Sequence, residues 1–197
     1  GKGSSLTSPK HEYASASTYT VQLIATSSNN CKDTVSNTVT VNANPVVSIS
    51  ADDECTYDAV SFSNSTTGAT SYAWNFDDGN SSTSMSPSHK YSSAGTYNVV
   101  LTATSSASCS TKDSISVETY PVPSASFTVA DACYGDASSF KNNSTISTGT
   151  MNHAWDFGDF NGTSNNTSPS YTYGGANTYT VQLISTSNNG CKDTATG

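Results

Sequence analysis

One pattern is written three times along this chain, and that repetition limits the fold more than any other feature. Pro9, His11, Tyr13, Tyr19 and Cys31 recur as Pro87, His89, Tyr91, Tyr97 and Cys109, each 78 residues further on. Pro169, Tyr173, Tyr179 and Cys191 follow after another 82, while Cys133 lies 78 beyond Cys55 and Trp155 lies 81 beyond Trp74. The unequal offsets place short insertions on either side of Trp155, in stretches read as loops, where added residues cost little. Pro45, Pro121 and Pro123 stand between copies and read as short, stiff linkers. Boundaries near 44 and 122 follow. Residues 1–44 then hold the second half of a module, 45–122 a complete one, and 123–197 a module lacking most of its last strand. The first segment has too few strands to bury a core alone, so further chain or a neighbouring molecule is expected to complete it.

Within each copy the apolar residues follow a period of two. Tyr97, Val99, Leu101 and Ala103 alternate with Asn98, Val100, Thr102 and Thr104, the signature of a strand with one face buried. Tyr19, Val21, Leu23 and Ala25 repeat it, as do Tyr179, Val181, Leu183 and Ser185. A short turn and then a cysteine follow in each copy, predicting a hairpin. Earlier strands are expected over 46–51, 59–64 and 71–76. About seven short strands in each repeat, with a tryptophan on a middle one, predict an all-β chain of tandem immunoglobulin-like sandwiches. The tyrosine that opens the late strand reads equally as a tyrosine corner, its hydroxyl bonded to nearby backbone, or as a plain core aromatic.

Composition narrows the function. Charged residues make up 11% of the chain and the net charge is −8, with no arginine. A nucleic-acid partner needs clustered cations, and the seven lysines here are scattered. The same deficit argues against anionic membranes. No apolar stretch reaches the roughly 18–20 residues of a membrane span, so no membrane insertion is expected of these residues. No signal peptide opens the chain; because Gly1 falls inside a repeat, this says nothing of a parent protein.

The segments YAWNFDDG at 72–79 and HAWDFGDF at 153–160 are each followed by SPSHKY or SPSYTY and then by GTYNVVL or NTYTVQL. In this order they resemble the polycystic kidney disease (PKD) domain, with its W-D-F-G-D-G stretch, then P-x-H-x-Y and G-x-Y-x-V. Asn75, Asp77 and Phe160 depart from that pattern. The resemblance implies a seven-strand sandwich serving as spacer, stalk or adhesive module in surface and secreted proteins, and it does not imply catalysis. Read physically, the Trp and Phe point into a core while the Gly and Asp residues shape a turn.

Four of the five cysteines form matching sets, Cys55 with Cys109 and Cys133 with Cys191, and a disulfide within each module is expected in an oxidising compartment. Such a loop would stabilise a thin sandwich by about 4 kcal/mol in the chain-entropy model. Cys31 is then left alone. No C-x-x-C pair supports zinc or a catalytic thiol. No catalytic residue is identified: His11 and His89 read as hydrogen-bonded parts of the fold, and no G-x-S-x-G elbow accompanies the many serines. No cofactor is expected, calcium apart. Asp52, Asp53 and Glu54, Asp77 and Asp78, and Asp156 and Asp159 could offer it oxygens, against the plainer reading of solvated turn acids.

Asn64, Asn80, Asn142, Asn143, Asn161, Asn165 and Asn166 carry the N-x-S/T pattern. Thr34, Ser114 and Thr194 lie in a recurring K-D-T/S sequence after the late cysteine, which resembles the O-glycosylation acceptor of Bacteroidota, whose long surface proteins carry Cys-bearing repeats of this family. The competing reading is a turn aspartate that caps the last strand. The expected role is a structural or adhesive extracellular module, a semi-rigid stalk or fibre whose partners are neighbouring repeats or copies of itself, glycans or surfaces. The alternatives are an accessory region of a secreted polysaccharidase or protease, and a carbohydrate-binding module.

Overall fold

The computed structural model describes residues 3–197, and among them the elements are strands joined by turns, with no helix. β1 (Ser17–Thr26) and β2 (Lys32–Val41) pair along their whole length, from Ser17 opposite Val41 to Thr26 opposite Lys32. The hairpin turns through Asn30 at φ 62°. Ser108 at φ 63° and Gly190 at φ 87° likewise take a positive φ before the cysteines of the other two copies.

The central sandwich comprises β3 (Ile49–Ser50), β4 (Glu54–Cys55), β5 (Ala59–Ser61), β6 (Ser63–Asn64), β7 (Ser71–Asn75), β8 (Ser81–Ser82), β9 (Ser88–Lys90), β10 (Gly95–Thr104) and β11 (Ser110–Tyr120). One sheet runs β4-β11-β10-β7-β8, and the pairs β3-β6 and β5-β9 lie across from it. The predicted alternation holds: Val99, Leu101 and Ala103 are fully buried, and Val99 and Leu101 pack with Phe62, Trp74, Phe76 and Tyr91. The expected strand over 59–64 is split at Phe62: its N–H donates to Pro87 O at 2.9 Å in line with the β5-β9 ladder, Pro87 has no N–H to return, and β6 beyond it pairs with β3. The strand expected over 46–51 is reduced to a Val46–Thr67 bridge and β3.

The last sandwich repeats this with β12 (Phe127–Val129), β13 (Ser138–Asn142), β14 (Met151–Asp156), β15 (Thr163–Ser164), β16 (Ser170–Tyr171), β17 (Gln182–Ser187) and β18 (Lys192–Thr196). Its sheets are β12-β13-β16 and β15-β14-β17-β18, around Phe140, Trp155, Phe157, Val181 and Leu183. The two cores share no residue. β17 is shorter than β10 because a strand persists only where it is paired, and its ladder with the final strand ends at the Val181–Gly197 hydrogen bonds.

The β1-β2 hairpin has the same alternation, but among the described residues no second sheet covers it. Val21 and Leu23 are 49% and 65% exposed, where their counterparts Val99 and Leu101 are at 0%.

Candidate functional sites

The most elaborate local structure is the turn after the tryptophan strand. Trp74 and Trp155 are buried and donate their indole N–H to Ser84 O and Asn166 O, both at 3.0 Å. The chain then reverses through Asp77 and Gly79, or Gly158 and Phe160, all at positive φ. Asp77 Oδ2 accepts from Asn98 N–H and Asn75 Oδ1 from Asp77 N–H, so these polar side chains tie the turn to itself and to β10. An aromatic file starts at this turn. Phe76 stacks on His89 at 4.2 Å, His89 meets Tyr91 edge-on at 4.7 Å, and Tyr91 stacks on Tyr97 at 3.9 Å. Phe157, Tyr171, Tyr173 and Tyr179 repeat it, and His11, Tyr13 and Tyr19 retain its end beside the first hairpin.

His89 Nε2 lies 2.6 Å from Asp78 Oδ2, and in the last sandwich the Tyr171 hydroxyl donates to Asp159 Oδ2 at the same distance. A phenol filling the histidine's place identifies a structural hydrogen bond, not a proton shuttle. Burial pushes the Asp78 carboxyl up, but the hydrogen bonds from His89 and Asn80 outweigh it and hold it below the ordinary aspartate value. The bond from Tyr171 and the N–H of Gly162 likewise lower Asp159, and Tyr171 is raised in return, chiefly by that bond. Tyr171 was missed as a site residue, although aligning SPSHKY with SPSYTY places it opposite His89.

The tyrosine at the head of the late strand is a tyrosine corner in every copy. Tyr19, Tyr97 and Tyr179 donate to Ser15 O, Ser93 O and Gly175 O, four residues upstream, at 2.7, 2.8 and 2.9 Å.

The cysteines overturn the expected pairing. Cys55 is bonded to Cys191, 136 residues away, and Cys109, Cys133 and Cys31 are free. β4 runs parallel to the end of β11, with Cys55 opposite Tyr120, while Cys109 precedes the start of β11. The whole strand, about 35 Å at some 3.3 Å per residue, separates them, and a disulfide needs Cα atoms within about 7 Å. The bond therefore cannot close within a module. It joins the far end of the central sandwich to the near end of the last, where Cys191 Sγ lies 3.9 Å from Tyr120 O.

Asp53, Asp77, Asp78, Asp156 and Asp159 of the candidate calcium ligands already accept hydrogen bonds within the fold. Asp53 accepts from Glu118 N–H at 2.7 Å, Asp156 from Gly158 N–H at 2.9 Å, and Asp159 from Asn161 and Gly162 N–H. Asp52 is exposed and Glu54 half-buried in β4. Among the described residues no three acidic, His or Cys side chains gather as a cage.

The glycan acceptors divide. Thr34, Ser114 and Thr194 are exposed, as are Asn80, Asn143, Asn161, Asn165 and Asn166. Thr34 faces Ile24 and Thr194 faces Ile184, but Ser114 faces Val100, one side-chain repeat further along, so the recurring sequence does not hold one position. Asp33 and Asp113 accept from the N–H of the next residue, as a capping aspartate does. Asn64 is not available as an acceptor. It is buried, its amide donates to Met85 O and its carbonyl accepts from Thr66 N–H. Its counterpart Asn142, half-buried, closes the same turn onto Ser144 N–H.

A cleft of about 570 Å³ in the last sandwich lies between Cys133–Asp136 and Tyr179, Val181 and Gly197. In the central sandwich the same slot holds Val117 and Thr119, with the Thr119 hydroxyl on Ser93 O at 2.9 Å.

A family model described as PKD domain matches residues 40–120 and again 118–197. Two similar solved structures are the PKD1 domain of Vibrio anguillarum Epp and the PKD1 domain of the Vibrio cholerae metalloprotease PrtV. The first is 30% identical over 40% of this chain and 96% of that one, with a TM-score of 0.37. The second is 28% identical over 39% and 98%, with a TM-score of 0.36. Fibronectin(III)-like modules of Clostridium thermocellum CbhA match at 13% identity over 77% of this chain and 91% of theirs, with a TM-score of 0.40. No curated protein matches.

Proposed function

The chain belongs to the PKD domain family, and on that premise we propose that it serves as a structural spacer in an extracellular or cell-surface protein. Its work is mechanical: to set a distance and to resist bending. The carrying observation is the Cys55–Cys191 bond between two sandwiches that have separate cores. A covalent strut beside the Pro121–Pro123 linker leaves the second sandwich little freedom to pivot about the first. The polar side chains of each repeated turn are spent on holding that turn, and the surface is rich in Ser, Thr and Asn. Such a surface suits water, glycans on the exposed acceptors Thr34, Ser114 and Thr194, and lateral contact with neighbouring copies in a fibre.

Small-angle scattering of the chain with and without a reductant tests this. A spacer held by the strut shows a narrow distribution of end-to-end distances that broadens on reduction, with the sandwiches still folded. An unchanged distribution removes the mechanical reading.

A further inference from the structure

We propose that Cys133 is one half of a covalent joint whose other half is the late cysteine of a module placed directly after this one, and that Cys109 receives the early cysteine of the module before it. The inference rests on reading the chain as an end-to-end array.

The Cys55–Cys191 bond supplies the rule. The early cysteine of a module sits at its exit end, the late cysteine sits at its entry end, and a bond forms across the junction. Both halves of that joint recur with matching local geometry. At the late position, Ser27, Ser105 and Ser187 donate N–H to the carbonyls of Cys31, Cys109 and Cys191 at 2.9, 2.9 and 2.8 Å. Their hydroxyls accept from the same cysteines' N–H at 3.2, 3.2 and 3.1 Å. At the early position, the Cys55 carbonyl accepts from Asp58 N–H at 3.0 Å and the Cys133 carbonyl from Asp136 N–H at 2.9 Å. The positive φ of Tyr57 is matched by Gly135. Cys133 is therefore set in the turn that presents Cys55, and Cys109 in the turn that presents Cys191. Exposed Cys133 and half-exposed Cys109 lie open to a partner.

Each joint forms by two thiol–disulfide exchanges. A disulfide-bearing oxidoreductase or glutathione disulfide is attacked by the first thiolate, and the second thiolate displaces it. The two protons lost by the cysteines are taken up, by way of solvent, by the oxidant's two sulfurs, the Sγ–Sγ bond forms, and the oxidant leaves as two thiols. The tether sets the pairing, since a neighbour on a short linker is present at an effective concentration far above that of any free chain.

The test extends the full chain. Gly197 stands opposite Val181 as Ile115 stands opposite Val99, so residues 116–197 appended after Gly197 continue in the register of β11 and add one module. After oxidative refolding, alkylation and non-reducing peptide mapping, the expected crosslinks are Cys55–Cys191 and Cys133 to the appended copy of Cys191. The expected free thiols are Cys31, Cys109 and the appended copy of Cys133. Cys133 recovered alkylated, or bonded to Cys55, Cys109 or its own copy, overturns the proposal. A Cys133→Ser version should lose only the new crosslink; loss of Cys55–Cys191 as well would mean that pairing is not set by register. If the crosslinks form but scattering shows no stiffening, the joint stands and the spacer reading fails.

Discussion

Tyr171 occupies in the last sandwich the place that His89 holds in the central one, and each ring hydrogen-bonds the aspartate that ends the preceding turn at 2.6 Å. The position thus requires a flat ring with a polar tip: the face stacks on Phe76 or Phe157 and the tip pins the turn. His89→Tyr should change stability by less than about 0.5 kcal/mol, while His89→Ala, which forfeits stack and bond together, should cost about 1–2 kcal/mol in urea unfolding.

Asp78 and Asp159 both have lowered carboxyl values in the folded state. A group lowered on folding stabilises above its unfolded value and loses that contribution as pH falls through its folded value. Melting temperature should therefore decline below about pH 4, near the unfolded aspartate value. Burial holds His153 below its ordinary value, so the last sandwich alone should lose a little more as pH falls below about 6.5. Tyr91 and Tyr173, raised by burial, and Tyr171 work in the opposite sense, and stability should fall again above about pH 10. Thermal melts across pH check both limbs; an Asp78→Asn, Asp159→Asn double variant should flatten the acid one.

Phe160 stands fully exposed at φ 70°, where the other copy has Gly79 at φ 90°. Its ring packs on nothing that would offset the strain of that backbone region. Phe160→Gly should stabilise the last sandwich by about 1 kcal/mol, seen as an upward shift of its unfolding transition.

The turn carboxylates are committed to backbone N–H groups and ring partners, and no cage gathers among the described residues. Excess chelator should leave the melting temperature unchanged, and added calcium should not raise it. A rise with calcium that Asp53→Asn abolishes would show a site formed by rearrangement.

The repeat and the inward-facing side chains were legible because both depend on spacing alone. Val99, Leu101 and Leu183 are where alternation places them. The cysteine pairing was not legible, because spacing places Cys55 and Cys109 in one module without saying which end each reaches. That depends on the short parallel pairing of β4 with the end of β11, two rungs with no sequence signature. Asn64 misled for a related reason: the acceptor pattern reads three residues, whereas its burial follows from the split of the strand at Phe62 and its bond to Met85 O.

The Cys55–Cys191 bond also changes how load would pass through the molecule. A pull applied before residue 45 and after Gly197 finds a covalent shortcut from Cys55 to Cys191, so the 136 residues of sequence separation it spans bear no tension while it lasts. Roughly 470 Å of chain, at about 3.5 Å per extended residue, is withheld from stretching. Only a reductant would release it, so the give of such a tether would be governed by the redox state of its surroundings and not by force.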